Sequence, residues 1–179
     1  MTSRFLKAMP YIFMHEGGYS NIKEDHGGAT SFGISLLFLK GTPLSYGDIN
    51  HDGHIDWLDI KALTKEEAQE MYWDNFWISL YDKLPELTAI KVYDVAVNAG
   101  ANRAHVLLQK ALNALGSKVA TDGVIGKQTL LEVAKYKDAA ILDAYCAQQA
   151  AFYKALVVAK PQNQRFLDGW LHRAAWKPK

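Results

Sequence analysis

Apolar residues return every three or four positions along most of the chain, the spacing of helices that bury one face. Phe5, Leu6, Met9, Ile12 and Phe13 predict an amphipathic helix over residues 3–15, with Pro10 inside it as a place to bend or start late. Thr64-Lys65-Glu66-Glu67 is a capping box, Thr64 serving as N-cap and Glu67 reaching back. Ala68, Met71, Tyr72, Asn75 and Phe76 continue one face of the helix it opens. Leu87, Ile90, Asp94 and Val97 predict a further helix, and Leu108, Leu112 and Leu115 another that stops at Gly116. A long helical pattern covers 127–158 through Leu130, Ile141, Tyr145, Phe152 and Leu156, and Phe166, Leu167, Trp170 and Leu171 predict a short terminal helix. The run Ile34 to Leu39 fits helix or strand. Gly17, Gly18, Gly27, Gly28 and Gly33 mark tight turns with room for one hairpin. The fold class is mainly α, with a small hairpin or irregular segment.

Length and charge narrow the picture. The 179 residues suffice for one domain, or one with a small appended lobe, and the best border lies near Pro85. This divides the chain into residues 1–90 and a helical region 91–179. Hydrophobic residues make up 49% against a net charge of +1, which excludes a disordered chain and gives no basic excess for nucleic-acid binding. A single cysteine, Cys146, excludes an internal disulfide framework. No apolar run approaches the roughly 18 residues of a membrane span. Lys7 and Pro10 interrupt the N-terminal apolar stretch, so it does not read as a secretory signal.

Candidate chemistry concentrates where the first helix meets the glycines. Glu16 closes that helix beside Phe13 and Tyr19; Asp25 lies nine residues on, among Lys23, Glu24 and His26, and Ser31 six further, with Thr30 beside it. Glycoside hydrolysis uses one carboxylic acid to protonate the leaving oxygen and a second, ionised carboxylate to position water or stabilise an oxocarbenium-like transition state. An apolar setting for Glu16 and a polar one for Asp25 would separate those roles in the required sense.

A second pattern is an acidic loop, Asp48-Ile49-Asn50-His51-Asp52-Gly53-His54-Ile55-Asp56-Trp57-Leu58-Asp59. It has EF-hand spacing: oxygen-bearing side chains at loop positions 1, 3, 5, 9 and 12, glycine at 6, and the His54 carbonyl at 7. Ile55 at position 8 is placed to anchor it in the core. Asp48, Asn50, Asp52, His54, Asp56 and Asp59 are the expected ligands of a structural Ca2+, with Asp59 departing from the usual glutamate at position 12. No zinc-type His/Cys cluster and no organic cofactor are expected.

Elsewhere the signals are weaker. Trp73 and Trp77 lie four apart on one predicted helix and can share a face, as core or as a sugar-stacking surface. Asp94 and Asn98 are similarly spaced and suit either substrate contact or internal bonding. Arg165, Trp170, His172, Arg173, Trp176, Lys177 and Lys179 form a mildly basic, aromatic end.

Taken in order, Glu16-Gly17-Gly18-Tyr19 and Gly27-Gly28-Ala29-Thr30-Ser31-Phe32-Gly33-Ile34 resemble glycoside hydrolase family 108, lysozyme-like muramidases found largely in bacteriophages and prophages. Tyr93 to Gly100, Leu108 to Asn113, Asp122 to Thr129 and Phe166 to Trp170 resemble the peptidoglycan-binding region that normally follows. The resemblance spans nearly the whole chain. It implies a lysozyme-like fold and hydrolysis of the β-1,4 bond between N-acetylmuramic acid and N-acetylglucosamine. Glu16 is then the general acid, Asp25 its charged partner, and Thr30 or Ser31 a water-positioning residue; in phage-type lysozymes the Ser31 slot is usually threonine. Tyr19, Ser31, Asp94 and Asn98 are the implied substrate contacts.

The expected biology is a monomeric endolysin, made in the host cytoplasm, released through a holin-type lesion and acting on bacterial peptidoglycan in the periplasm, without membrane insertion. A secretion-assisting muramidase is the alternative within the family. A lytic transglycosylase and a non-catalytic wall-binding module are the rival classes.

Overall fold

A computed structural model describes residues 1–18 and 29–179; Tyr19, Asp25 and His26 lie outside the described residues. The chain divides into two compact units, Met9–Asn75 on the one hand and Met1–Ala8 with Phe76–Lys179 on the other.

The smaller unit takes its first element from α1 (Ser3–Glu16), which agrees with the predicted helix. Met9 and Ile12 are buried as its spacing requires. The hairpin pairs β1 (Thr30–Ser31) with β2 (Ile34–Ser35) in antiparallel register, Thr30 opposite Ser35 and Ser31 opposite Ile34. The ambiguous run after it is both things at once: β2 passes into α2 (Leu36–Lys40), whose N-cap Ser35 accepts from the Phe38 N–H at 3.1 Å. Next come α3 (Leu44–Gly47), the acidic loop and α4 (Trp57–Ala62). The helix α5 (Lys65–Asn75) opens on the expected capping box: the Thr64 N–H donates to Glu67 Oε2 at 2.9 Å and the Glu67 N–H to Thr64 Oγ1 at 3.2 Å. Ile34, Leu39, Ile60, Ala68, Met71 and Tyr72 complete the core.

The larger unit is a helical bundle. A 3₁₀ turn (Ser79–Lys83) leads to α6 (Glu86–Ala99), α7 (Ala101–Ala114), α8 (Lys127–Val133), α9 (Asp138–Ala159), a second 3₁₀ turn (Pro161–Phe166) and α10 (Leu167–Ala175). The expected border at 90/91 falls inside the continuous helix α6. The predicted helix over 127–158 is two helices, α8 and α9, with the chain turning over residues 134–137, where the Lys135 and Tyr136 N–H groups bond back to the Glu132 and Val133 carbonyls at 3.1 and 3.2 Å. Helix α9 packs on α6, α7 and α10, and α6 packs on α7. Trp77 lies beyond the end of α5 and in this unit. It therefore does not share a helix face with Trp73; its ring packs edge-on against Phe5, Tyr81 and Tyr93, with centroids 5.4, 5.3 and 4.9 Å away.

Polar groups inside the bundle are matched to partners. Pro85 offers α6 no side-chain cap, and the Asp138 carboxylate of α9 supplies one, accepting from the Leu87 and Thr88 N–H groups at 2.8 and 2.9 Å. Lys91 is 0% exposed, and its ammonium donates to the carbonyls of Arg173, Ala174 and Trp176 at the end of α10, at 2.8, 3.3 and 2.7 Å. Burial pulls its pKa down to about 8, with Cys146 and Asp94 acting in the opposite sense.

His105 joins Gly123 to Tyr81: Nδ1 lies 2.9 Å from the Gly123 carbonyl oxygen and Nε2 3.1 Å from the Tyr81 hydroxyl. A neutral ring fits both, with Nδ1–H donating and Nε2 accepting from Tyr81. Burial lowers the His105 pKa, partly offset by the Gly123 carbonyl. Below the unfolded value of about 6.5, the unfolded chain binds a proton that the folded one resists. The stabilisation is thus complete above that pH and declines as pH falls through it. The expected outcome is a wild-type melting temperature that drops between pH 7.5 and 5 and a smaller drop for His105→Gln; equal slopes would contradict this role.

Candidate active site

Glu16 stands where α1 must stop. Gly17 takes φ +78°, and its N–H returns to the Phe13 carbonyl at 3.1 Å, a left-handed C-terminal turn that frees the following chain from the helix. The half-buried Glu16 side chain faces the hairpin. Both central residues of its two-residue turn, Phe32 (φ +50°) and Gly33 (φ +82°), have the positive φ that type I′ hairpin turns demand. Phe32 is strained there, and two contacts hold it. Its ring meets Phe13 edge-on at 5.7 Å, and its carbonyl accepts the Tyr72 hydroxyl at 3.1 Å. Phe13 also packs edge-on against Tyr72 at 6.2 Å and carries the Lys65 ammonium over its face at 5.1 Å.

These contacts accompany a close approach of the turn to Glu16. A methyl group on Gly33 would overlap the Tyr72 hydroxyl and stand 2.7 Å from Glu16 Cβ. Any side chain at position 33 would therefore collide with the stem of Glu16 and with the Tyr72 hydroxyl. On the hairpin, Ser31 is 4% exposed and Thr30 half-buried, so the two point to opposite faces. The predicted partners Asp25 and Tyr19 fall outside the described residues.

The other predicted contacts lie in the helical unit. Asp94 is fully buried and pairs bidentately with Arg173: Nε to Oδ2 at 3.2 Å and Nη2 to Oδ1 at 2.9 Å. Asn98 is exposed, and its Oδ1 accepts the Tyr153 hydroxyl at 2.9 Å. Sequence reasoning missed Tyr72, Gly33 and the buried Lys91. Gly33 followed by a β-branched residue was a hairpin signal, whereas nothing local marked Tyr72 as a partner of Phe32.

The acidic loop turns at Gly53 (φ +90°) and uses its carboxylates as backbone acceptors. Asp48 accepts from the Asp52 and Gly53 N–H groups at 3.1 and 2.9 Å, and Asp52 from His54 at 2.9 Å. Asp56 caps α4. Asp59, 0% exposed, accepts from Ile49 at 2.7 Å, Asn50 at 3.2 Å and Asp56 at 2.7 Å. Asn50 Nδ2 donates to Asp52 at 2.9 Å. The donors are hard oxygens suited to Ca2+, yet among the described residues no three His, Cys, Asp or Glu side chains converge as a metal cluster. Ile55 is half-buried. A cleft of about 180 Å3 beside the loop, lined by Tyr46, Asp48, His51, Glu67 and Glu70, does not include Glu16.

Residues 9–100 match the family model described as Glycosyl hydrolase 108. The chain belongs to glycosyl hydrolase family 108. Residues 103–175 match a second model, described as Predicted Peptidoglycan domain. The solved structure of Brucella abortus SagA superposes with a TM-score of 0.70 at 34% identity, covering 96% of this chain and 89% of that one. No curated protein matches the chain. A family 108 region followed by a peptidoglycan domain makes this protein a peptidoglycan hydrolase of the muramidase kind. Its family-matched region contains Glu16, the hairpin and the whole acidic loop.

The packing at Gly33 yields a contrast between two glycines that both have positive φ. Gly17→Ala meets open space and costs about 1 kcal/mol of backbone strain with wall-clearing activity retained. Gly33→Ala must displace Glu16 or Tyr72, so activity falls at least tenfold and the melting temperature drops further. Equal activities for the two variants would remove Gly33 from the construction of the site.

Proposed function

We propose that the protein is an N-acetylmuramidase cleaving the β-1,4 bond between N-acetylmuramic acid and N-acetylglucosamine, with Glu16 as general acid. The observation that carries this reading is the placement of Glu16: a half-buried glutamate at the end of α1, its stem closely approached by the hairpin turn at Gly33, within the family-matched region. A close backbone approach serves a proton donor by limiting the directions its side chain can take. Asp25 is assigned the ionised role, holding charge or positioning water, on the basis of spacing and family resemblance. Thr30, the more exposed of the two hairpin residues, is favoured over the buried Ser31 for placing that water.

In the cell the reading is an endolysin, active as a monomer in the periplasm after holin-type release. No described helix is long and apolar enough to cross a membrane, which fits delivery by another protein.

Purified Glu16→Gln protein should lose at least a hundredfold of its clearing of permeabilised Gram-negative cells while still binding sacculi. Mass spectrometry of wild-type digests should show reducing muramic ends. Anhydro ends would make the enzyme a transglycosylase, and undiminished clearing by Glu16→Gln would remove this residue from the mechanism.

Calcium in the 48–59 loop is a second proposal. Asp48, Asn50, Asp52, Asp56 and Asp59, with the His54 carbonyl, would hold it, and the ion would offset the mutual repulsion of four aspartates. Chelation should lower the melting temperature by several degrees, and Asp52→Ala should abolish that dependence. A melting curve indifferent to chelator and to added calcium would mean that the backbone N–H groups alone neutralise the loop.

A further inference from the structure

The helical unit carries a groove of about 460 Å3 floored by Leu80, Ile125, Leu130 and Leu131, with Lys83 and Lys127 at its sides. Leu80 and Lys83 come from the first 3₁₀ turn, the others from α8 and the turn leading into it. Leu131 is 58% exposed, and neighbouring Val124 is 65% exposed. Water-facing aliphatic residues gathered in a groove mark a surface that another molecule covers.

The two lysines give the occupant a charge. Lys7, Lys135 and Lys177 of the same unit are each paired with a carboxylate, Glu86, Glu132 and Asp143 respectively. Neither Lys83 nor Lys127 has an ion-pair partner among the described residues, and no carboxylate lines the groove. A glycan strand, rich in hydroxyl and acetamide groups, would call for planar polar side chains that both donate and accept, and the lining has none. A membrane surface calls for a cluster of about four to eight basic residues. A short peptide with small apolar side chains and free carboxylates fits both the floor and the rim.

We infer that this groove seats the peptide stem of peptidoglycan, its alanyl methyl groups on the leucine and isoleucine floor and its carboxylates on Lys83 and Lys127. The inference rests on the peptidoglycan reading above and adds a substrate-contacting surface made of named residues.

Calorimetric titration of a synthetic stem tetrapeptide (L-Ala, D-isoglutamate, meso-diaminopimelate, D-Ala) into the full chain tests it. The wild type should bind saturably and more weakly as salt rises. Lys83→Ala/Lys127→Ala should bind about tenfold more weakly, the scale of two partly exposed ion pairs. Leu131→Ser, a change at an exposed position, provides a second variant with the charges intact, and it too should bind more weakly. In the clearing assay the double variant should raise KM for intact sacculi without changing kcat, and leave KM unchanged for glycan stripped of peptide by an amidase.

No saturable binding at millimolar peptide, or binding that all variants retain, overturns the inference. So does binding to phosphatidylglycerol vesicles through the same lysines with none to the peptide, which would assign the groove to lipid. Cleavage of sacculi without peptide binding sinks the groove and leaves the muramidase; peptide binding without cleavage does the reverse.

Discussion

The close approach of a backbone turn to the stem of Glu16 is the constraint on which the rest of the site depends. An acid that must deliver a proton to one glycosidic oxygen needs its direction fixed, and a glutamate at a helix end has three free torsions to lose. Here the fixing atoms belong largely to main chain. Gly33 lets the hairpin reach within van der Waals distance of Glu16 and Tyr72, while Phe32 accepts a strained φ in return for its ring contact with Phe13 and the hydrogen bond from Tyr72. The hairpin turn is thereby held by α5, from which Tyr72 projects. The capping box of Thr64 and Glu67 then matters to the site, because it sets where α5 begins and hence where Tyr72 falls.

The helical unit solves a different problem, that of ending and docking helices inside a bundle. Three devices recur. Asp138 caps α6 from another helix, Lys91 satisfies the last carbonyls of α10, and Arg173 of α10 grips Asp94 of α6. Each joins α6 to a helix distant in sequence. A buried charge left alone would cost several kcal/mol, so removing either partner of such a pair is far more disruptive than the pair is stabilising. Their effect is to tie α6 to α9 and α10 at defined residues. Asp94 is thereby committed to internal structure, while Asn98, one turn on, remains at the surface.

How much was legible in the sequence follows from how local each cause is. Helix α1, the Thr64 capping box and the stop at Gly116 rest on contacts within a few residues, and each appears where the pattern placed it. The hairpin was legible as a glycine-rich turn, although its two-residue strands were not delimited. The break before α9 was hidden, because Ala134-Lys135-Tyr136-Lys137 holds neither glycine nor proline to mark it. Trp73 and Trp77 kept helical spacing, yet α5 ends between them. The role of Lys91 was illegible because its acceptors lie more than eighty residues away. Glu16 was readable as a candidate from its place at the helix end and the glycines around it; the packing of Phe13, Phe32 and Tyr72 on one another was not, since they meet only after folding.

Charge ties the groove to the chemistry. With a net charge of +1, the protein has little long-range attraction for an anionic wall, and at physiological ionic strength exposed charges are screened beyond about 8 Å. Recognition must then come from short-range complementarity. A groove that offers apolar floor and two unneutralised ammonium groups supplies it at the one scale where it survives salt, that of direct contact. Such contacts are individually weak, which suits an enzyme that must leave each cut and find the next. Tight uniform binding would lower KM without speeding the chemical step, whereas modest binding of the proposed peptide would let the strand go after each cut. The mildness of the protein's charge then suits the proposed groove: adhesion is confined to a few residues, and a strand can be held without being trapped.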